Sequence, residues 1–223
     1  MQNSPKTKIK EIFTSIQGEG LWVGEKHIFV RFCKCNLNCA FCDTDFNINT
    51  AKEYSSKELY ETLKENDCEV ISLTGGEPLL DVEFLEHFLR NYKNKLNKKI
   101  YLETNGTLSK NLEKIIDYID IVAMDIKLES ATKQKNNFQE NNVFLGVSSK
   151  KESFIKVVFD ENIKENEIKE TINLAKKYNK TIILQPKMPL DENINLNDIF
   201  NEFYKNYKNI RLICQTHKFL NLQ

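Results

Sequence analysis

The sequence lacks the features that mark membrane, secreted and nucleic-acid-binding proteins. No apolar run is long enough to cross a bilayer, and the first residues hold no apolar core of the kind that a signal peptide needs. Lys and Arg number 32, as do Asp and Glu, so the formal net charge of +0 gives no global attraction to nucleic acid or anionic lipid. The 7 glycines and 4 prolines form no linker. We therefore expect one cytoplasmic domain over residues 1–223, without a direct nucleic-acid or membrane partner.

Disulfide bridges are not expected either, although the chain has 6 cysteines. Four of them (Cys33, Cys35, Cys39 and Cys42) fall in one short segment, whereas a secreted scaffold spreads its bridges to staple distant loops. A chain of 223 residues, 40% of them hydrophobic, can bury a sizeable core without such bridges. Clustered thiols in a reducing compartment are typical of metal ligands.

Short β-rich apolar runs alternate along the chain with longer amphipathic stretches. Strands are predicted at 27–33, 69–74, 99–104, 120–127, 153–159, 181–185 and 209–215. Helices are predicted at 55–65, where a serine caps the start, and at 81–97, 161–178 and 195–204. This alternation predicts an α/β fold with parallel strands, and about six units are too few to close a full barrel. The predicted architecture is an open, partial (β/α)6-type TIM-like barrel, with a polar surface loop over residues 128–152.

Polar side chains alternate with apolar ones near the carboxyl ends of several predicted strands. In residues 120–127, Val122 and Met124 point to one face, so Asp125 and Lys127 point to the other. The same alternation places these polar residues on that second face: Arg31, Thr74, Glu103, Asn105 and Gln185. Because β/α barrels hold their active sites at the carboxyl ends of the strands, we favour a functional face over a merely solvated one.

Three cysteines with the spacing C-x3-C-x2-C follow the first predicted parallel strand: Cys35, Cys39 and Cys42. Three thiolates can hold three irons of a [4Fe–4S] cluster and leave the fourth iron open to another ligand. The alternative is a zinc site, which needs a fourth ligand, and nearby His27 precedes the array with a poorly matching spacing. Cys33 could be a fourth cluster ligand, but a small buried hydrophobe is the commoner fate of a free cysteine.

A glycine-rich turn, Gly75 to Pro78, follows the second predicted strand. Its two glycines permit close backbone approach and positive φ, and Pro78 stiffens the exit. Taken with the cysteine array, the turn resembles the Gly-Gly-Glu-Pro element of the radical S-adenosylmethionine (SAM) superfamily. The resemblance implies that the methionyl amine and carboxylate of SAM bind the open iron, and that the turn's backbone meets the amino group.

Four further segments resemble those of the 7-carboxy-7-deazaguanine synthase family. They are Phe13 to Gly20 before the cysteines, Asp43 and Thr44 directly after them, Glu103 to Gly106 after the third predicted strand, and Gln215 to Lys218 near the end. Together they span nearly the whole chain and are far more specific than the cysteine array. The resemblance implies one radical SAM domain over residues 1–223, in which residues 1–25 are a substrate-binding extension and residues 215–223 close the site.

The same resemblance assigns the site residues in three groups. Substrate binding is assigned to Ile16, Gln17, Gly18, Glu19, Arg31, Thr74, His217 and Gln223. SAM binding is assigned to Phe41, Cys42, Asp43, Gly76, Glu103, Asn105, Ser148, Ser149, Lys150, Gln185, Pro186, Lys187 and Met188. The [4Fe–4S] cluster is assigned to Cys35, Cys39 and Cys42, and Mg²⁺ to Thr44. No protein side chain is implied as catalytic, because SAM delivers the radical.

At Arg31 the resemblance leaves an alternative open, and at Lys34 and Ser149 the sequence departs from the family pattern. Arg31 is expected to face the barrel interior and needs a carboxylate partner, which is either that of the family's substrate or that of a local Glu or Asp. Lys34 stands where the family usually has glycine. Ser149 stands where the family often has the proline of a Ser-Pro-Lys element.

The resemblance implies a ring-contracting lyase of queuosine or other 7-deazapurine biosynthesis, on a pathway of tRNA modification. A 5′-deoxyadenosyl radical would abstract the C6 hydrogen of 6-carboxy-5,6,7,8-tetrahydropterin, and the contracted ring would lose ammonia to give 7-carboxy-7-deazaguanine, with SAM re-formed. A homodimer and a flavodoxin-like one-electron donor are also implied. The alternatives are a glycyl-radical-enzyme activase, which has no evident use for Arg31 or for Gln17 to Gly20, and a non-catalytic zinc or iron–sulfur protein.

Overall fold

The chain folds around one nine-stranded sheet with helices on its outer face. The computed structural model describes residues 4–42 and 48–222. The strands are β1 (Lys6–Ile16), β2 (Lys26–Phe32), β3 (Lys52–Ser55), β4 (Val70–Gly75), β5 (Lys99–Thr104), β6 (Ile121–Ile126), β7 (Glu152–Phe159), β8 (Ile182–Pro186) and β9 (Ile210–Leu212). The α-helices are α1 (Ser56–Lys64), α2 (Val82–Leu96), α3 (Ser109–Ile115), α4 (Glu129–Thr132), α5 (Phe138–Ser148), α6 (Glu165–Tyr178), α7 (Leu196–Asn206) and α8 (Thr216–Leu220). None of the described helices is long and apolar enough to cross a membrane.

The sheet is mostly parallel and open, which confirms the predicted fold class. Its strand order is β3-β1-β2-β4-β5-β6-β7-β8-β9, and every neighbouring pair from β2 to β9 is parallel. The two edge strands β3 and β9 do not pair with each other, so the barrel does not close. At one side β1 adds to β2 in antiparallel fashion, and the sequence reasoning did not identify it as a strand.

The predicted helices form where their caps and apolar stripes indicate. The side chain of Ser55 accepts a hydrogen bond from the backbone of Glu58 and the side chain of Glu58 accepts one from Ser55, so a capping box starts α1. In α2, Phe84, Phe88 and Leu89 are buried together against the sheet.

The prediction of a surface loop over residues 128–152 is wrong. This segment holds α4 and α5, and α5 buries Phe144 and Leu145 against the sheet. Helix α5 was not predicted because the face that it turns to the core also carries a polar residue, Asn141. The side-chain amide of Asn141 donates hydrogen bonds to the carbonyls of Asn105 and Gly106, where it replaces apolar packing.

Two apolar cores leave one end of the barrel interior open. The larger core lies between the sheet and the helices and includes Val122, Met124 and Ile126, as strand parity predicted. A smaller core fills the interior toward the amino ends of the strands, around Tyr101 and Phe154. Polar side chains occupy the interior at the carboxyl ends, and the site lies there.

Candidate active site

A cavity of about 500 Å³ opens at the carboxyl ends of the parallel strands. It is lined by residues of β1 and the loop after it, the cysteine segment, strands β2 and β4 to β8, and the last helix. The predicted site residues that line it are Ile16, Gln17, Gly18, Glu19, Arg31, Cys35, Cys39, Phe41, Cys42, Thr74, Gly76, Glu103, Asn105, Gln185, Lys187, Met188 and His217. The fold thus brings together residues that are up to two hundred positions apart in the sequence.

The three predicted cluster cysteines lie along one wall of this cavity. Cys35 and Cys39 are partly buried, and Cys42 is exposed. Burial raises the pKa of the Cys35 thiol and raises that of Cys39 to about 11, although the charge of Lys127 opposes the second shift. Metal binding deprotonates such thiols, so loading a metal centre here is accompanied by proton release.

The cysteine segment is held by backbone hydrogen bonds to the glycine-rich turn. The N–H of Gly76 donates to the carbonyl of Phe32 at 3.0 Å, and that of Glu77 donates to the carbonyl of Lys34 at 2.7 Å. A side chain at Gly76 would collide with the Lys34 carbonyl, so only glycine fits there. The backbone carbonyl of Lys34 thus accepts a hydrogen bond from the turn, and its side-chain ammonium pairs with a carboxylate oxygen of Asp81 at 3.0 Å.

Glu77 connects this turn to the loop after β5. Its buried carboxylate accepts hydrogen bonds from the backbone of Leu79, the backbone of Asn105 and the hydroxyl of Thr104. Burial nevertheless raises the pKa of Glu77 to about 7, against the lowering effect of these bonds. Asn105 in turn donates to Asn36 at 2.9 Å, so the turn, the loop and the cysteine segment form one connected unit.

A chain of hydrogen bonds links several of the cavity residues that are predicted to bind substrate. The amide of Gln17 donates to Glu103 at 2.9 Å, and the hydroxyl of Thr74 donates to the other oxygen of Glu103 at 2.8 Å. The backbone N–H of Glu19 donates to the amide oxygen of Gln17 at 3.1 Å. Glu103, predicted as a SAM contact, therefore also fixes two residues predicted to bind substrate.

Arg31 reaches the cavity from β2, as predicted, and has a local partner. Its Nε lies 2.6 Å from a carboxylate oxygen of Glu11, directly across the β1–β2 pair. Its guanidinium also lies 5.4 Å from the ring centroid of Phe13, which stacks on Phe29. The local-carboxylate alternative is thus realised in this structure, and the guanidinium still lines the cavity, where it can meet a ligand anion.

Two polar side chains that line the cavity have buried atoms without a hydrogen-bond partner among the described residues. Neither the amide nitrogen nor the amide oxygen of Gln185 has a hydrogen-bond partner among the described residues, although the side chain is fully buried. Within the same ranges, one carboxylate oxygen of Asp125 is also unpartnered. Since unsatisfied buried polar groups are costly, these two side chains are suited to hydrogen-bond a polar ligand in the cavity.

Some predicted site residues do not line the cavity. Ser148, Ser149 and Lys150 lie at the carboxyl end of α5 and directly precede β7, so they stand at the amino edge of the sheet. Ser148 is buried there, its carbonyl accepting a hydrogen bond from Ser153. The prediction that these three residues contact SAM is therefore corrected. Pro186 is buried beside the lining residue Gln185 but does not itself line the cavity.

Three further predictions, for Asp43, Thr44 and Gln223, lie outside the described residues. His27, the fourth ligand considered for zinc, lies at the amino end of β2, away from the cysteines at its carboxyl end. Its Nδ1 is 2.8 Å from the hydroxyl of Ser72, and its ring packs on Trp22 and Tyr101.

Sequence reasoning missed several lining residues, above all Lys156 of β7. Its ammonium forms ion pairs with Glu19 and with Asp125, the latter at 3.3 Å, and Asp125 also pairs with Lys127 at 2.8 Å. Strand parity carries the signal, because Ile155 and Val157 face the outer core and Lys156 must then face inward. Also missed as site residues were Glu11, Phe13, Phe29, Tyr101 and Gln215.

The arrangement agrees with comparisons to known proteins. A family model described as the radical SAM superfamily matches residues 29–198. The chain therefore belongs to the radical SAM superfamily.

Relatives along the whole chain narrow this class. A 7-carboxy-7-deazaguanine synthase from Geobacter sulfurreducens is 29% identical, over 98% of this chain and 98% of its own length. One from Haemophilus influenzae is 32% identical, over 98% of this chain and 95% of its own. The crystal structure of QueE from Escherichia coli has the same fold, with a TM-score of 0.64 at 21% identity over 95% of each chain. Within the superfamily, the chain belongs to the 7-carboxy-7-deazaguanine synthase family.

Proposed function

We propose that this protein converts 6-carboxy-5,6,7,8-tetrahydropterin to 7-carboxy-7-deazaguanine with loss of ammonia. The observation that carries the proposal is that a single cavity is lined both by the cysteine array and by Gln17, Glu19 and Arg31. A cavity of about 500 Å³ is in the range of sites that hold small molecules and cofactors. The product is the one that the relatives' names specify.

Residues of three segments would form the half of the cavity that holds the cofactors. Cys35, Cys39 and Cys42 would hold a [4Fe–4S] cluster, and the backbone at Gly76 would approach SAM closely because no side chain stands in the way. Gln185 would satisfy its buried amide on the bound cofactor. When bound, the cluster and SAM supply the electron and the 5′-deoxyadenosyl radical, and the protein supplies binding, orientation and exclusion of water.

The substrate half would recognise the two ends of the pterin by charge and hydrogen bonding. Arg31 would bind the 6-carboxylate, in the bidentate geometry that guanidinium groups favour. The carboxylate of Glu19, together with Gln17 and the backbone of Gly18, would bind the guanine-like edge, where adjacent N–H groups match a carboxylate. His217, packed on Gly18, would contact the substrate from the last helix.

The proposal includes three residues outside the described ranges, an assembly, an electron donor and a location. Thr44 would complete a Mg²⁺ shell with substrate oxygens and waters, since Mg²⁺ takes few protein ligands. Asp43 would contact SAM, and Gln223 would reach the substrate from the end of the single domain. The family resemblance supports a homodimer, a flavodoxin-like one-electron donor and a cytoplasmic location.

An anaerobic turnover assay tests the proposal. The reconstituted, reduced protein is incubated with SAM, Mg²⁺ and 6-carboxytetrahydropterin, and products are identified by mass spectrometry. The expected result is 7-carboxy-7-deazaguanine, absent from a Cys39→Ala control. Cleavage of SAM with the pterin untouched would refute the substrate assignment and would favour a glycyl-radical-enzyme activase.

A further inference from the structure

A cluster of four charges, one buried and three partly buried, crosses the cavity and includes Lys156, which was not predicted as a site residue. Lys156 on β7 pairs with Glu19 from the loop after β1 and with Asp125 on β6, and Asp125 pairs also with Lys127. The side chains of Lys156, Glu19 and Asp125 are only 12%, 18% and 9% exposed. Two positive and two negative charges balance within this group.

Stability alone does not account for such a cluster. Desolvation of buried ions costs about as much as their attraction returns, and apolar replacements of a whole buried ion pair are often neutral or stabilising. A barrel interior whose other end is filled by Tyr101 and Phe154 could have been filled by apolar side chains here as well. The charges therefore point to a role in the site.

The geometry indicates what that role is, because Glu19 is the point where three parts of the chain meet. One oxygen of its carboxylate pairs with Lys156, and the other accepts a hydrogen bond from the amide of Gln215 at 2.7 Å. Nearby, the N–H of Thr216 donates to the carbonyl of Gly18 at 2.9 Å. Among these contacts, the ion pair with Lys156 is the one that ties the carboxylate to a strand of the barrel.

The electrostatics keep this carboxylate charged. Burial acts to raise the pKa of Glu19, but the charge and hydrogen bond of Lys156 outweigh it and lower that pKa to about 2. Burial likewise acts to lower the pKa of Lys156, but the carboxylates of Glu19 and Asp125 hold it well above its usual range. An ionised acceptor at fixed orientation is what two adjacent N–H donors require.

We infer that Lys156 is a positioning residue for substrate binding: it fixes the ionised carboxylate of Glu19 against the barrel, so that Glu19 can accept hydrogen bonds from the guanine-like edge of the substrate. This inference rests on the proposed function. Each carboxylate oxygen can accept a second hydrogen bond, so the contacts to Lys156 and Gln215 leave Glu19 able to bind a ligand.

The test measures binding rather than turnover. The dissociation constant of 6-carboxytetrahydropterin is measured anaerobically on reconstituted protein with SAM and Mg²⁺ present and no reductant. Lys156→Met should raise the dissociation constant at least tenfold, with cluster content and SAM affinity unchanged, and Lys156→Arg should recover part of the loss. The matched control is Lys93→Met, which breaks a partly buried pair with Asp120 outside the cavity and should leave binding unchanged.

A double-mutant cycle with Glu19→Gln tests whether Lys156 acts through Glu19. If it does, Lys156→Met weakens binding in the wild type but changes it less than twofold in the Glu19→Gln background. The double variant also removes both charges of the pair, so it is expected to fold even if Lys156→Met alone does not.

The outcomes separate the two claims. Additive effects in the cycle, or unchanged binding by folded Lys156→Met, would overturn the positioning role and leave the proposed function standing. Failure of the wild type to bind the pterin at all would overturn the proposed function and this inference with it.

Discussion

At the scale of single residues, each of the three cysteines in the array is expected to be indispensable. Cys35→Ala, Cys39→Ala or Cys42→Ala should each abolish turnover, because a cluster held by three thiolates has no spare ligand. Cys68→Ala is the matched control, since Cys68 is buried away from the cavity. Iron content and the charge-transfer absorption of the reconstituted proteins measure the effect. Full iron content and activity in any of the three variants would remove that cysteine from the cluster.

Under the proposed function, Arg31 is expected to discriminate in favour of a carboxylated substrate. Loss of a charged hydrogen bond costs about 1.5–3 kcal/mol, so Arg31→Gln should weaken pterin binding by about tenfold to hundredfold. A tetrahydropterin without the 6-carboxylate should bind the wild type and Arg31→Gln equally. If both proteins still prefer the carboxylated pterin, Glu11 is the sole partner of Arg31 and the carboxylate is bound elsewhere.

At the scale of elements, the turn after β4 and the cysteine segment depend on each other. Gly76→Ala would place a methyl group in collision with the backbone carbonyl of Lys34. A backbone carbonyl cannot rotate away from the methyl group as a side chain can. We expect the free energy of unfolding to fall by about 2 kcal/mol or more, with poor cluster loading.

Gly146→Ala is the control for that substitution. Gly146 lies within α5, and a methyl group there would meet only the ring of Tyr178, at ordinary contact distance, among described residues outside the helix backbone. Alanine should therefore raise the free energy of unfolding by about 0.5–1 kcal/mol. Denaturant unfolding of both variants measures the difference. Equal effects of the two substitutions would show that the close approach at Gly76 is not needed for folding.

The observed strands show which parts of the fold can be predicted from the sequence. Parallel strands and their inward polar residues were predictable, because Leu and Ile alternate with Thr74, Glu103 and Gln185 at fixed parity. Strand β1 was missed because its three lysines and Glu11 conceal the alternation, and only Thr7 and Ile9 of its residues are buried. The partner of Lys156 was not predictable, since the Glu19 carboxylate lies 137 positions away and meets it only in the folded chain.

At the scale of the whole molecule, a histidine buried at the end of the barrel that the smaller apolar core fills makes stability depend on pH. His27 is fully buried there, and burial lowers its pKa to about 4. Between pH 6.5 and pH 4 the unfolded chain therefore binds a proton that the folded chain does not, so this residue lowers stability as the pH falls. From 1.36 kcal/mol per pKa unit, the loss between pH 7 and pH 5 is about 2 kcal/mol.

Comparison with His27→Phe isolates this contribution from those of other titrating groups. The variant should lose less stability than the wild type between pH 7 and pH 5, by about that same 2 kcal/mol, in urea unfolding at both pH values. Parallel pH dependence in the two proteins would show that His27 is not the group responsible.

The proposed function requires one cavity to hold both the cofactor and the pterin. The most direct measurement is the ratio of 7-carboxy-7-deazaguanine formed to 5′-deoxyadenosine released, in one anaerobic reaction of the reduced wild type. Because SAM is expected to be re-formed in each cycle, we expect product in clear excess over 5′-deoxyadenosine. Accumulation of 5′-deoxyadenosine without 7-carboxy-7-deazaguanine would contradict the proposed function.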